Sequence, residues 1–192
     1  MGRASQQQAQ QSRARIVDSA NRLFRQHGVD HVSVAQVMHA CDMTVGGFYK
    51  HFASKEALVA EVCALAFTQS LTTWQRVLEQ EHSAVQPPHA ELVHGYLGNR
   101  APQRRCPILA YAPADGVPGD AVYRQGTQEL FERFVAQAGE GAAVRGQAMV
   151  LFAAMVGARM LDQATGSAPW VQELEAAVNA AAAAAVPTHP TS

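Results

Sequence analysis

The chain of 192 residues has a formal net charge of −1 at pH 7, with 48% hydrophobic and 16% charged residues, a composition typical of a globular protein with one or two domains. Its apolar runs are shorter than the roughly 18 residues of a membrane span, and its glutamine-rich N-terminus lacks the apolar core of a signal peptide. These features argue against a membrane protein and a secreted protein, and we expect a cytoplasmic one.

The small net charge conceals an uneven distribution along the chain. Residues 1–55 hold seven Lys and Arg against three Asp and Glu, whereas residues 56–192 hold eight against thirteen. A basic N-terminal part followed by an acidic remainder favours nucleic-acid contact confined to the N-terminal part. Residues 1–12 are polar and lack hydrophobic periodicity, so we expect a disordered tail there. A solvated tail is favoured over a basic arm acting through Arg3.

Three short helices are predicted within residues 13–53. Apolar spacing predicts them over 13–26, 34–40 and 44–52. Gly28 suits the left-handed position that ends the first helix, while Ser33 and Thr44 are suited to cap the second and third. A helix, a short turn and a second short helix, preceded by a supporting helix, form a helix-turn-helix.

The third predicted helix opens on a glycine pair, Gly46 and Gly47. Each glycine costs a helix about 1 kcal/mol relative to alanine, which indicates that something must approach the backbone closely. A helix N-terminus also offers unpaired N–H groups and a positive dipole end that suit phosphate. Phe48 and Phe52 are four residues apart, share a face and are interpreted as core. The pattern predicts a recognition helix for DNA.

The remaining chain, residues 54–186, is predicted to be helical as well, and no strand pattern is found anywhere. Six further helices are expected: from Ser54 to about Glu81, His89–Asn99, a short helix starting at Cys106, from Asp120 to about Gln137, 143–163, and 169–185. The eighth helix is apolar over much of its surface, which is typical of a helix buried on several sides. The fold class is therefore all-α with about nine helices, followed by a loose tail at 187–192.

Within residues 13–62 the sequence resembles the TetR family of transcriptional regulators. The resemblance is carried by the stretches Ile16–Ala20, Leu23–Phe24, His27–Gly28, Ser33–Val34 and Gly46–Leu58. It implies an N-terminal three-helix DNA-binding domain with a helix-turn-helix, residues 13–53, and a C-terminal helical ligand-binding and dimerisation domain, residues 54–186. It also implies a homodimer joined through the helices near 143–163 and 169–185, in agreement with the apolar character of the eighth helix.

The function implied by the resemblance is that of a sequence-specific DNA-binding transcriptional regulator without a cofactor. Family members usually repress transcription, bind a pseudo-palindromic double-stranded operator, and leave it when a small-molecule effector binds. We expect the effector cavity among the fourth to eighth helices.

The family's DNA contacts fall on matching positions of this chain. Those expected to bind phosphate are Ser33, Thr44, Tyr49, His51 and Lys55, and those expected at base edges are Val45, Gly46 and Lys50. Val45 could touch a thymine methyl group, and Lys50 could reach guanine O6 and N7. Because Val45 and Gly47 replace residues that are often polar in the family, fewer direct base hydrogen bonds are available. As alternatives, Tyr49 could be a half-buried core aromatic and Lys55 a solvated first-turn lysine.

Cys106 is the candidate sensor in the C-terminal part. It follows Arg104 and Arg105 at a predicted helix start, and both features lower a thiol pKa and raise its reactivity. Some similar regulators use a cysteine at this place to sense electrophiles or oxidants. The alternative is a small buried apolar residue, which cysteine often is, and this is the interpretation favoured for Cys41 and Cys63.

An enzyme and a non-transcriptional DNA-binding protein are the alternatives to a regulator. No Gly-rich phosphate loop, catalytic carboxylate pair or Ser/His/Asp order stands out, so an enzyme is not expected; a thiol-dependent enzyme would need a histidine base near Cys106. A non-transcriptional DNA-binding protein is the other alternative. The three cysteines include no CxxC pair, which argues against a zinc module. His89 and His94 lie about 140° apart around a helix, so no metal site is expected.

Overall fold

The computed structural model describes residues 2–79, 88–98, 101–113, 120–139 and 141–184. Within these ranges the chain forms nine α-helices and one short 3-10 turn at Pro102–Arg104, and no strand. The helices are α1 (Gly2–His27), α2 (Val34–Ala40), α3 (Val45–Phe48), α4 (Lys55–Glu79), α5 (Pro88–Gly98), α6 (Pro107–Ala110), α7 (Ala121–Ala136), α8 (Ala142–Thr165) and α9 (Pro169–Ala184). The all-α prediction with about nine helices is confirmed.

The structure differs from the sequence prediction at both ends of the N-terminal segment. Helix α1 begins at Gly2 and runs through most of the stretch 1–12 that was predicted to be disordered. Residues 6–11 are exposed, and they are mostly glutamine and alanine, which favour helix without needing to be buried. At the other end, α3 stops at Phe48, four residues before the predicted Phe52, and a turn over 49–51 follows. The tail 187–192 and the end of the predicted fourth helix lie outside the described residues.

Contacts divide the chain into two compact units: residues 1–70 with 101–127, and residues 71–100 with 128–192. Helices α4 and α7 contribute residues to both. The predicted domain boundary between residues 53 and 54 thus lies within the first unit. The division into functional domains 13–53 and 54–186 stays a prediction.

The core of the first unit is built around α1. Its buried side chains recur at helical spacing and include Ile16, Ala20 and Phe24, all with no exposed surface. Burying one such side chain contributes roughly 1.5–3 kcal/mol to stability. The Tyr111 ring lies edge-on to Phe24, with 6.5 Å between ring centroids. Gly126 of α7 also packs closely here, because a Cβ atom at that position would lie 2.3 Å from the Phe67 ring.

The second unit contains an aromatic cluster and a tightly bonded turn between α8 and α9. Trp74, Phe134 and Phe152 make edge-to-face contacts, with ring centroids 5.6–6.4 Å apart. At the turn, the Asp162 carboxylate accepts from Arg159 Nη1 at 2.6 Å and from Ser167 Oγ at 2.5 Å. Arg159 and Asp162 are buried, so this turn is fixed by a buried ion pair.

Helix α8 carries apolar residues on its exposed side as well as its buried side. Met149, Val150 and Met160 are all exposed. By length and composition, α8 is the one helix in the described part of the chain that could cross a membrane. It also holds the buried Arg159–Asp162 pair, and core helices of soluble proteins meet the same criteria, so this finding is weak evidence for a span.

Candidate nucleic-acid interface

Helices α2 and α3 and the turn between them form the helix-turn-helix. Ser33 begins α2 with a reciprocal capping box: its Oγ accepts from Gln36 N at 3.2 Å, and its N–H donates to Gln36 Oε1 at 2.8 Å. This arrangement satisfies backbone groups that a helix start leaves open. In the turn, Asp42 adopts a left-handed φ of 55°, which Asp tolerates better than most residues, and Met43 N–H donates to Met38 O at 2.9 Å.

Helix α3 is anchored by one buried residue and presents the others outward. Phe48 is fully buried and stacks on Phe52, with ring centroids 5.5 Å apart. Val45 and Tyr49 are 46% and 67% exposed, far more than large apolar or aromatic side chains usually are. The alternative interpretation of Tyr49 as a half-buried core aromatic is therefore wrong: it packs edge-on against Phe48 and otherwise faces solvent.

The two glycines of α3 are not required by the protein itself. Neither adopts a positive φ. A Cβ atom at Gly46 would meet nothing within 4 Å, and one at Gly47 would make ordinary contacts at 3.7 Å with Thr44 Oγ1 and 3.8 Å with Met38 Cε. Space for a side chain exists at both positions, so the fold does not require glycine at either of them.

Thr44, Lys50 and His51 complete the surface around α3. Thr44 precedes α3 in extended conformation, and its side chain makes no capping bond to the helix. Thr44 and Lys50 are exposed and His51 is half-buried. Together with Val45, Gly46 and Tyr49 they lie on one continuous segment, so the structure brings six of the predicted contact residues together.

Lys55, the first residue of α4, has a structural partner. Its Nζ donates to Val29 O at 2.8 Å, and its side chain is half-buried. The bond ties the start of α4 to the connection after α1, so the alternative of a merely solvated lysine is wrong. An ammonium group has three donors, so this bond leaves capacity for a phosphate. Ser33 stands at the start of α2, and thus the predicted contacts involve three helix N-termini.

Two residues that matter at this surface were not foreseen from the sequence. The guanidinium groups of Arg13 and Arg15 bond the backbone carbonyls of His51 and Cys41. The basic composition of residues 1–55 had suggested only that such arginines contribute charge. Nothing in a single sequence distinguishes a basic side chain that bonds internal carbonyls from one that faces solvent.

The three thiols differ in their surroundings. Cys106 is half-buried and directly precedes α6, whereas Cys41 and Cys63 are buried. Burial raises the pKa of Cys63 to about 12 and also raises the pKa of Cys41. Because the thiolate is the reactive species, burial lowers the reactivity expected of Cys41 and Cys63, which agrees with their interpretation as packing residues. Cys106 is the thiol that a reagent can reach most readily.

No metal site is found in the described part of the chain. No three His, Cys, Asp or Glu side chains are grouped there as metal ligands. His89, considered for such a role, is buried with Nε2 2.9 Å from Phe134 O, and burial lowers its pKa. An open groove of about 490 Å³ lies on α1 and α2. It is lined by Leu23, His27, Val32, Ala35, Gln36, His39 and Ala40. The cavity among the fourth to eighth helices stays a prediction.

Comparison with known proteins points to one family. A family model described as bacterial regulatory proteins, tetR family, matches residues 16–62. The transcriptional regulator AcrR of Shigella flexneri is 39% identical over 66 residues, which cover 34% of this chain and 31% of AcrR. The regulator UidR of Escherichia coli K12 is 26% identical over 146 residues, covering 74% of this chain and 71% of UidR.

A similar fold is found in solved structures. A TetR-family transcriptional regulator from Cytophaga hutchinsonii superposes with a TM-score of 0.74 at 16% identity, covering 95% of this chain and 98% of that one. The match with AcrR spans about a third of each protein, whereas the structural match spans nearly the whole chain. The family model covers residues 16–62, which contain the helix-turn-helix, whereas the sequence likeness to UidR extends over 74% of the chain.

Proposed function

Since this chain belongs to the TetR family of bacterial regulatory proteins, we propose that it is a sequence-specific, DNA-binding transcriptional regulator that acts as a homodimer in the cytoplasm. The observation that carries the proposal is α3 itself. A helix with a buried phenylalanine on one side and exposed Val45, Gly46 and Tyr49 on the other has the arrangement that a recognition helix needs in a major groove.

The proposed contacts fall into two classes. Ser33, Thr44, Tyr49, His51 and Lys55 would bind phosphates through hydroxyl, imidazole, ammonium and helix N-terminal N–H groups, which fixes the register of the protein on DNA. Val45, Gly46 and Lys50 would face base edges. There the Val45 methyl groups suit a thymine methyl, and the Lys50 ammonium suits guanine O6 and N7.

Exposed apolar surface on α8 and α9 supports pairing of two copies. Met149, Val150 and Met160 of α8 are exposed, and so is Trp170 of α9. Several large apolar side chains exposed on two helices that pack together are the feature from which we infer an interaction site, and the small exposed alanines of α9 allow a partner helix to approach closely. A two-fold dimer would set two α3 helices about 34 Å apart or a little more, matching successive major grooves of a pseudo-palindromic operator.

Regulation would follow from two states of the dimer. A small-molecule effector in the helical body would favour a state in which the two recognition helices no longer match the groove spacing, and repression would end. An effector shifts this equilibrium only by its differential affinity for the two states. The proposal requires no cofactor and no catalytic residue.

Selection of binding sites from random duplexes, followed by affinity measurements on variants, tests the proposal. Lys50→Ala is expected to relax preference at particular base pairs, at about 1–3 kcal/mol per lost base contact. Tyr49→Phe should instead weaken all duplexes by similar factors. Lys55→Ala should do the same and lower the slope of log K against log salt by about 0.9 for one lost phosphate contact. Equal losses on every duplex for Lys50→Ala would contradict its assignment to bases.

Release through modification of Cys106 is a second candidate for the effector step, favoured by the partial exposure of this thiol. N-ethylmaleimide is expected to release the wild-type protein from its selected duplex and to leave Cys106→Ser bound. Cys41 and Cys63 serve as internal controls, because both are buried and both are present in the wild type and in Cys106→Ser alike. A Cys106→Ser protein that is released like the wild type would exclude the thiol switch while leaving DNA binding intact.

The competing functions predict different results in the same assays. A non-transcriptional DNA-binding protein would recover duplexes with little sequence preference in the selection. A thiol-dependent enzyme would show a reactive Cys106 but no duplex preference at all. The known relatives AcrR and UidR are named as transcriptional regulators, which supports the regulator over both.

A further inference from the structure

Two arginines of α1 bond the backbone on either side of the recognition helix. Arg15 Nη2 donates to Cys41 O at 2.5 Å, and Arg13 Nη1 donates to His51 O. Cys41 ends α2 where the turn begins, and His51 lies in the turn that follows α3. We call Arg13 and Arg15, with these two carbonyls, the arginine bracket.

The segment inside the bracket needs external support. Helix α3 has only four residues, Val45–Phe48, and a helix this short is not stable by itself. Phe48 fixes one point of the segment in the core, and a single buried point leaves rotation about it open. Bonds from Arg15 to Cys41 O and from Arg13 to His51 O hold both ends from α1, next to the buried side chains of Cys41 and Phe52, so α1 contributes to the direction in which α3 presents its outer face.

Arg13 is held more firmly than Arg15. Its guanidinium also bonds the Glu61 carboxylate of α4 and lies over the Phe52 ring, 4.1 Å from the centroid. A planar guanidinium can donate at its edge and stack with its face simultaneously, which an ammonium cannot do. The ion pair is about 40% exposed at both side chains, so solvent screening weakens it. The bond to His51 O and the contact with the Phe52 ring therefore contribute more to fixing the Arg13 guanidinium.

We propose that Arg13 and Arg15 are positioning residues that set the sequence specificity of the recognition helix, and that they are not phosphate ligands. The inference rests on the proposed DNA-binding function. Charge alone would assign these arginines to the DNA backbone along with the other basic residues of the N-terminal part. Their bonds to His51 O and Cys41 O engage both guanidinium groups with the protein backbone instead, although the Arg13 side chain is 41% exposed and Arg15 is exposed as well.

The test compares the selected duplex with a scrambled duplex of equal length, using Arg13→Ala, Arg13→Lys and Arg15→Ala. Arg22→Ala is the matched control, because Arg22 is an exposed arginine of the same helix. All three bracket variants are expected to lower the ratio of specific to non-specific affinity by about tenfold, the scale of one mismatched base pair. Arg13→Ala and Arg15→Ala each lose one positive charge, so their non-specific affinity should fall by the same factor as that of Arg22→Ala. Arg13→Lys should keep its non-specific affinity within about twofold of wild type, and no bracket variant should change the salt slope more than Arg22→Ala does. Arg22→Ala should lower both affinities by one common factor.

Glu61→Ala separates a positioning role of Arg13 from an effect of charge alone, because affinity for any duplex and the specificity ratio respond differently. Removing a negative charge should strengthen binding to any duplex by electrostatics alone. Loss of its hold on Arg13 should lower the specificity ratio, and adding Glu61→Ala to Arg13→Ala should lower that ratio no further. Thermal unfolding of each variant establishes that it is folded at the assay temperature. If Arg13→Ala is not folded there, Arg13→Lys, which keeps the charge, replaces it in the comparison.

Wild-type selectivity in Arg13→Lys would contradict the positioning role of the arginine bracket but not the proposed DNA-binding function. A salt slope lowered by about 0.9 per arginine, as for a lost phosphate contact, would do the same. A wild-type protein that selects no duplex would overturn the proposed function, and the role of the bracket with it.

Discussion

Replacing Asp162 with alanine is expected to destabilise the folded protein by about 3–5 kcal/mol, the cost of breaking a buried ion pair by removing one partner. The Asp162 carboxylate bonds both Arg159 and Ser167, and the side chains of the ion pair are only 7–8% exposed. Ser167 has a left-handed φ of 60° directly after Gly166. Loss of the carboxylate therefore removes the bond that holds a strained turn as well as the counter-charge of Arg159.

Urea unfolding measures this effect, with Glu132→Ala as the control. Glu132 pairs with Arg145 at 3.2 Å, but both side chains are about half exposed, so this pair is worth roughly 0–1 kcal/mol. The same chemical change is thus made once in a buried pair and once in an exposed one of the same unit. Equal unfolding midpoints for Asp162→Ala and Glu132→Ala would contradict the structural role of the turn.

Gly46→Ala and Gly47→Ala are expected to separate folding from DNA binding. Both replace a helical glycine that has space for a Cβ atom, so each should stabilise the free protein by up to about 1 kcal/mol. Gly46 is exposed on the outer side of α3, whereas Gly47 is half-buried against Thr44 and Met38. A methyl group at Gly46 would stand between the backbone and the DNA, and we expect at least about tenfold weaker binding, comparable with one mismatched base pair.

Gly47→Ala is the matched control, because it gives the same gain in helix propensity without adding a methyl group to the outer face. Its affinity for the selected duplex should stay within about twofold of wild type. Urea midpoints and dissociation constants of the two variants provide the comparison. If Gly46→Ala binds as tightly as Gly47→Ala, the bare backbone at Gly46 does not serve close approach to DNA.

Local rules predicted the helix-turn-helix well because its boundaries depend on near neighbours. Gly28 has the left-handed φ of 85° expected after α1, and Ser33 forms its capping bond as predicted. Ser54 accepts from Ala57 N–H at 3.2 Å at the start of α4. Caps and glycine ends are short-range features, and for that reason they can be recognised in a sequence.

The differences between the predicted and the observed structure also have physical reasons. Residues 6–11 are glutamine and alanine, which favour helix by propensity, and they are exposed, so a search for hydrophobic periodicity overlooked them. Helix α3 is shorter than predicted because turn bonds replace helical ones after Phe48: Lys50 N–H donates to Gly47 O and His51 N–H to Phe48 O. The bonds of Arg13 and Arg15 join residues 38 and 26 positions apart, and no local pattern indicates such pairs.

The number of protomers on the selected duplex, measured by sedimentation at low salt, decides whether the protein binds DNA as a homodimer. We expect two copies to bind one pseudo-palindromic duplex, a duplex carrying a single half-site to bind more weakly, and binding to weaken steeply as salt rises. A protein that remains monomeric and does not bind duplex DNA in dilute buffer would contradict homodimeric DNA binding.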